Sequence, residues 1–384
     1  MNKVRLKQLR SKGIAGIKDS KFSSDVIPAW IADMNFDIAP AIKSGLIEMV
    51  ENSICGYPQT PYDLALHEIF RSYVYKRFDW RIKSNDVLFI KDVVQGICRC
   101  IYSFTDKNDH ILIQPPVYQP FHSLVNLTGR QLLMNPLIKI DNRYQIDFDD
   151  FERKAKNAKL FIFCNPQNPT GRVFSKKDLT RLADVCLANN LIVVSDEIHA
   201  DLILDSKPHI PLSSLNSGIA EQTVTLMSAS KAFNIAGTSL AFAHLSNKKL
   251  QKLFNAQAEA IYGNQNILAL QAVKIALTEG GSWLEKILEK LRKNRAFLDK
   301  YISENWINVD YLPGEGTYLA WLDCRKIQSS SLLSSKLLTQ ARVALSEGSD
   351  FGYEGEGFVR LNFARSPDEL SLIIRRMDKV MKTD

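Results

Sequence analysis

The chain of 384 residues has little of what marks the specialised classes of protein. It carries only six cysteines (Cys55, Cys98, Cys100, Cys164, Cys186 and Cys324), with one C-x-C pair and no C-x-x-C. That spacing builds neither a disulfide framework nor a zinc site, so the thiols read as buried or incidental in a reducing compartment and no metal is expected. Eighteen glycines and 14 prolines are too few for a fibrous or low-complexity chain. No apolar run approaches the roughly 20 residues that span a bilayer, and the basic stretch from Met1 to Gly13 leads into no apolar signal core. Forty-nine basic against 42 acidic residues leave a net charge of +7, with no block of Lys and Arg of the kind that grips nucleic acid. The expectation is a cytoplasmic protein with no membrane or nucleic-acid partner.

What is present is an ordinary globular composition, 45% hydrophobic and 24% charged, long enough for two or three packed units at roughly 150 residues each. Between residues 85 and 245 short apolar runs alternate with amphipathic stretches. Val87 to Ile90, His110 to Gln114, Leu160 to Cys164, Leu191 to Ser195, Thr223 to Ser228 and Ser239 to Leu245 have the length and continuity of strands buried on both faces. Between them, Lys176 to Asn190 repeats Leu179, Leu182, Ala183, Cys186 and Leu187 at helical spacing. Strand and helix in alternation predict an α/β unit with a mostly parallel sheet, whose ligands sit at the carboxyl ends of the strands. Further on, Trp283, Leu284, Ile287, Leu288, Leu291, Leu298 and Tyr301 stripe one long helix, with Lys286, Lys290, Arg292 and Lys293 as its solvated face. Strand-like runs Tyr318 to Leu322 and Phe358 to Phe363 follow, separated by a Gly-rich loop. The expected division is a large unit over 46–280 and a smaller α/β unit formed by 1–45 and 281–384.

Three runs carry chemistry. In Met227-Ser-Ala-Ser-Lys231-Ala-Phe-Asn-Ile-Ala-Gly237 an apolar strand delivers one lysine to a turn. Desolvation there would lower its pKa from about 10.4 toward the range of a nucleophile or base, as a covalent-bonding lysine requires. A surface lysine at a strand end is the plain alternative. Leu191-Ile-Val-Val-Ser-Asp196-Glu197-Ile-His199 ends a buried strand in a carboxylate that could hold a ring nitrogen protonated, although an Asp after a strand is often a helix cap. Asn165-Pro-Gln-Asn168-Pro169-Thr-Gly171 packs two Asn-Pro steps and a glycine into a stiff turn able to aim the Asn168 amide at a ligand oxygen. Turn chemistry explains these residues one at a time, but not their density.

With these motifs in the chain order Asn165–Gly171, Ser195–His199, Ser228–Lys231, the chain resembles the fold-type I pyridoxal phosphate enzymes of the class I/II aminotransferase superfamily over nearly its whole length. Within them it is most similar to the carbon–sulfur lyases of the MalY/PatB type, which are cystathionine β-lyase-like. The further matching stretches include Trp30-Ile-Ala-Asp33-Met34, Gly56-Tyr57, Pro116-Val-Tyr118, His209-Ile-Pro211 and Gly357-Phe-Val-Arg360-Leu-Asn362. The resemblance implies pyridoxal 5'-phosphate as cofactor, bonded through its aldehyde to Lys231. It places Asp196 on the pyridine nitrogen, Asn168 on the phenolic oxygen and Tyr118 stacked on the ring. Arg360 is implied as the clamp for the substrate carboxylate, which suits its planar fork and its strand face shared with Asn362. The amides of Val93 and Val94 would hold the phosphate at a helix start, with the Ser228 hydroxyl beside them and Tyr57 reaching in from the second subunit of a homodimer.

Three departures accompany the likeness. Asp92 replaces a small residue at the phosphate site, where it is expected to cap the helix and face away. Ser239 stands where many aminotransferases carry a phosphate-neutralising arginine, which agrees with the lyase branch. Asn35 replaces an acid in a strip that lies near the substrate in this family. The implied activity is β-elimination of a sulfur amino acid to pyruvate, ammonia and a thiol, with freed Lys231 as the base. An aminotransferase shares every step up to the Cα carbanion and is the first alternative. A cofactor-bearing protein that regulates through a partner, as MalY resemblance allows, is the second.

Overall fold

The computed structural model describes residues 16–58, 64–141, 143–256, 264–327 and 330–382. Its main sheet has seven strands, in the spatial order Val87–Ile90, Ala241–His244, Thr223–Met227, Ile192–Asp196, Leu160–Cys164, His110–Ile113 and Gln131–Met134. All neighbours run parallel except Ala241–His244, which is antiparallel to both strands beside it. Every residue of Leu160–Cys164 and Thr223–Met227 is buried, because helices cover both faces. Leu160, Ile162 and Cys164 point into one apolar layer with Ile97 and Ile101. Phe161 and Phe163 point into the other, against Leu179, Leu182 and Cys186 of the helix Lys176–Ala188. Ser175 and Asp178 close that helix with a reciprocal capping box.

The C-terminal part builds a four-stranded antiparallel sheet from Asp310–Tyr311, Leu319–Asp323, Phe358–Asn362 and Ser346–Glu347. The helix Gly281–Asn305 buries Leu284, Ile287, Leu288, Leu291 and Leu298 beneath it, as its stripe predicts. Its basic face is not uniformly solvated, however. Lys286, Lys290 and Lys293 are exposed, whereas Arg292 turns inward and donates from Nε to the Leu204 carbonyl at 3.1 Å. The expected boundary between residues 45 and 46 falls inside the helix Pro40–Glu51, where Gly45 lies against Ile275.

The N-terminal segment joins the second sheet's side of the molecule through a short parallel pairing of Ile27–Pro28 with Val343–Ala344. From Ala29 to Ala39 the chain forms no regular element, so its carbonyls need side-chain partners. Trp30 O accepts from Arg360 Nη2 at 2.7 Å, Ile31 O from Asn362 Nδ2 at 2.7 Å, Ala32 O from Lys231 Nζ at 2.8 Å and Phe36 O from Asn234 Nδ2 at 2.8 Å. The strip is thus stitched to both sheets by residues from the lysine and arginine runs. Among the described residues, no helix is long and apolar enough to cross a membrane.

Candidate active site

A cavity of about 590 Å³ opens at the carboxyl ends of the central strands. Lys231, Asp196, Asn168, Tyr118, Val93, Val94 and Arg360 all line it, so the structure gathers seven residues from six separate stretches of chain. Lys231 arrives just after the strand Thr223–Met227. Burial pulls its amine down to about 8; Asp33 opposes that shift, Arg360 adds to it and Asp196 opposes it. A sizeable fraction of the amine is therefore neutral near pH 8 and able to attack a carbonyl.

Asp196 is the last residue of its strand and lies opposite Cys164 and Leu226 in the sheet register. Burial raises its carboxyl to about 7; the Ile198 amide, which donates to Oδ1 at 3.1 Å, lowers it, Glu197 raises it and Lys231 lowers it. A cationic ring N–H facing this acid would restore its ionised form, since opposite charge outweighs desolvation at contact distance. His199, given no role from the sequence, also lines the cavity. Burial takes its imidazole down to about 3, and the charges of Lys231 and Arg360 push the same way, so the ring is neutral. Its only sequence signal was its place in the Ser195–His199 run.

The Asn-Pro turn is rigid for reasons visible in its bonding. Gly171 donates to Gln167 O at 2.8 Å, Gln167 donates to Arg172 O at 2.8 Å, and Gln167 Oε1 accepts from the Thr170 amide at 2.9 Å. Gly171 has φ +71, and a Cβ there would stand 2.7 Å from Gly314 Cα, so only glycine fits. The turn holds Asn168 Oδ1 where it accepts from Arg360 Nη1 at 3.0 Å, which leaves the Asn168 NH2 to donate to a ligand oxygen. Arg360 sits in the fully buried strand Phe358–Asn362, opposite Trp321, with Val359 and Leu361 turned into the core on the other face. Its guanidinium also meets Ser346 Oγ at 3.1 Å and lies 4.8 Å from the Phe351 ring centre. Its Nε is buried without a partner, and no carboxylate stands within ion-pair distance among the described residues. Tyr118 faces the same space, its phenol raised by burial, with Arg360 lowering it and Asp196 and Asp92 raising it.

The anion-binding corner differs from expectation in several places. Val93 and Val94 open the helix Val93–Phe104, ahead of its first intrahelical bond from Gly96 to Asp92 O at 3.0 Å, so their amides are free to point at an anion. Asp92 does cap this helix, accepting from Gln95 N at 2.8 Å, but it lines the cavity instead of facing away. Ser228 does not line it. Its hydroxyl donates to Leu240 O at 2.7 Å and accepts from Ser230 N at 3.1 Å, and Ser230 takes the wall position. Ser239 adopts a left-handed conformation at φ +57 and is not part of the wall. Tyr57 is 93% exposed and does not line the cavity of its own chain. Asn35 turns from the cavity to Glu369, 3.4 Å away, while Trp30, Ile31 and Ala32 of its strip form the wall.

The chain matches the family model for aminotransferase class I and II over residues 32–377. The chain belongs to that family. Within it, the chain is 35% identical over 358 residues to cystathionine beta-lyase PatB of Bacillus subtilis, covering 92% of each sequence. Two solved structures superpose with a TM-score of 0.93. One is a pyridoxal phosphate-bound protein of Clostridium difficile 630, 37% identical with 97% of each chain covered. The other is cystalysin of Treponema denticola, which contains a pyridoxal 5'-phosphate cofactor, 28% identical with 97% and 96% covered. The class I and II aminotransferase fold thus places one amine, one buried acid, one amide donor and one helix start around a single cavity. That donor set fits pyridoxal phosphate: an amine for the aldehyde, an acid for the ring nitrogen, an amide for the phenolic oxygen and free N–H groups for the phosphate.

Proposed function

We propose that this chain is a pyridoxal phosphate-dependent carbon–sulfur β-lyase acting on a sulfur amino acid of the cystathionine type. The observation that carries the reading is that Arg360, buried and without a carboxylate partner among the described residues, shares its cavity with the Lys231 amine held at about 8. An unpaired buried guanidinium beside a reactive amine fits an α-amino acid, whose carboxylate it would fix. The name of the PatB relative supports the choice of reaction.

When bound, the cofactor supplies an electron sink for the negative charge left at Cα. The chain's own residues do the rest. Arg360 holds the carboxylate and so sets the angle of the Cα–H bond, and Asn168 is kept in place by Arg360 itself. The Lys231 amine would hold the cofactor and, sharing the cavity with Arg360, would serve as the base that takes the Cα proton. Asp196 keeps positive charge where electron density must go. Overall, R–S–CH2–CH(NH3+)–COO− and water yield R–SH, pyruvate and ammonium.

The functional unit we propose is a homodimer with an active site at each end of its interface, in which Tyr57 serves the other subunit's phosphate. It would reside in the cytoplasm, in keeping with six free cysteines. Incubation with L-cystathionine tests the reaction: equal amounts of pyruvate and homocysteine support it. Accumulation of the amine form of the cofactor with release of a 2-oxo acid would instead support amino transfer, the reaction of the family's name.

A further inference from the structure

Five charged side chains line the cavity: Lys231, Arg360, Asp92, Asp196 and Asp350. Four have a task in the account above. Lys231 meets the aldehyde, Arg360 the α-carboxylate, Asp196 the ring nitrogen, and Asp92 is spent on the amide of Gln95. Asp350 is the remainder. It is exposed, lines the cavity and makes no hydrogen bond or ion pair among the described residues, while its charge acts at longer range on the Arg360 guanidinium.

Its position is fixed by the loop that carries it. Ser346 pairs with Arg360 in the small sheet, and the tight turn Gly348–Phe351 follows directly, so Asp350 enters from the same side as the carboxylate clamp. The turn is closely packed: a Cβ on Gly348 would lie 2.0 Å from Gly355 O. Phe351 is anchored on both sides, its carbonyl accepting from Val117 N at 2.8 Å and its ring 5.3 Å from Trp321. A carboxylate in this turn is held on the Arg360 side of the cavity wall.

We infer that Asp350 is a specificity-determining residue that selects thioether substrates whose leaving thiol carries an ammonium group. The inference rests on the β-lyase reading for the direction of the substrate's tail. With the α-carboxylate on Arg360, the S-alkyl tail is the only part of the substrate left to reach the mouth. A tail ammonium there meets an unpaired acid, a neutral tail meets no partner, and a tail carboxylate is repelled.

The test uses the purified holoenzyme and three S-substituted L-cysteines with tails of equal length: 3-aminopropyl, butyl and 2-carboxyethyl. Dissociation constants are read from the change in cofactor absorbance and turnover from pyruvate. At a partly exposed site one ion pair gives about fivefold, so the aminopropyl compound is expected to bind about fivefold tighter than the butyl compound and to exceed the carboxyethyl compound by more. The difference should lie in KM, not kcat. Asp350→Asn should bring the aminopropyl to butyl ratio close to one, and Asp350→Lys should reverse the order in favour of carboxyethyl. Equal binding of the three tails, or an order the two variants leave in place, would overturn the role of Asp350. Absence of pyruvate from all three would overturn the lyase reading alone, because the order of the dissociation constants still decides for or against Asp350.

Discussion

Arg360 Nη1 donates to Asn168 Oδ1 at 3.0 Å, tying the proposed carboxylate clamp to the amide proposed to face the cofactor. One hydrogen bond thereby orients both groups, and it joins the small sheet to the turn after the strand Leu160–Cys164. Asn168→Asp would put a carboxylate in contact with Arg360, where it competes with the substrate's own. The expected outcome is a KM for L-cystathionine raised about tenfold or more, measured by steady-state pyruvate release.

Arg360→Ala should be costlier still. Removing one partner of a buried charged contact costs roughly 2–5 kcal/mol, so kcat/KM should fall by about 10²-fold or more. Arg360→Lys keeps the charge but loses the fork and should recover only part of that loss. Comparison of the three kcat/KM values checks it.

The Lys231 amine, lowered to about 8, sets a pH dependence for cofactor attachment. Only the neutral amine attacks an aldehyde. The rate at which the cofactor-free protein takes up pyridoxal phosphate covalently should therefore rise with pH up to about 8 and level off above it. Stopped-flow absorbance measures this. A rate still climbing beyond pH 10 would place Lys231 in water, not in the cavity.

Asp196 sets a stability trend in the opposite sense. Its carboxyl is raised from 3.8 to about 7 in the cofactor-free fold, so the native state retains a proton that the unfolded chain has released. That contribution is fully present below about pH 4 and is lost as pH rises to about 7. Asp196→Asn should flatten the corresponding part of the melting temperature against pH curve of the cofactor-free protein, by an amount on the order of a few kcal/mol at pH 7. It should also weaken cofactor binding.

Ser228 offers a contrast between structure and chemistry. Its hydroxyl bridges Leu240 O and Ser230 N. Ser228→Ala should destabilise the fold by about 1–2 kcal/mol in denaturant titrations while leaving cofactor affinity nearly intact.

Much of this site can be read in the chain because its residues end elements whose burial is obvious. Asp196 ends the buried strand Ile192–Asp196 and Asn168 follows the wholly apolar strand Leu160–Cys164, and buried strands of a covered parallel sheet end at its ligand edge. Arg360 is betrayed by alternation with Val359 and Leu361. The direction of a hydroxyl or carboxylate inside a turn carries no such periodic signal. Ser228 and Ser230 flank one small residue, and only the turn geometry decides which of them meets the cavity. Asp92 caps its helix as its type suggests, yet capping fixes one oxygen and says nothing of what the residue faces. Trp30, Ser346 and Asp350 come from segments too short for a periodic signal, and Trp30 meets Ser346 and Arg360 through hydrogen bonds more than three hundred residues apart in the chain. Asn35 lies in the right strip, but its side chain turns to Glu369.

The central claim is that Lys231 bonds to the cofactor. Borohydride reduction of the holoenzyme, followed by proteolysis and mass spectrometry, tests it most directly. The account predicts a single stable pyridoxyl adduct on the peptide containing Lys231, absent from Lys231→Ala. An adduct on a different lysine, or none at all, would contradict it.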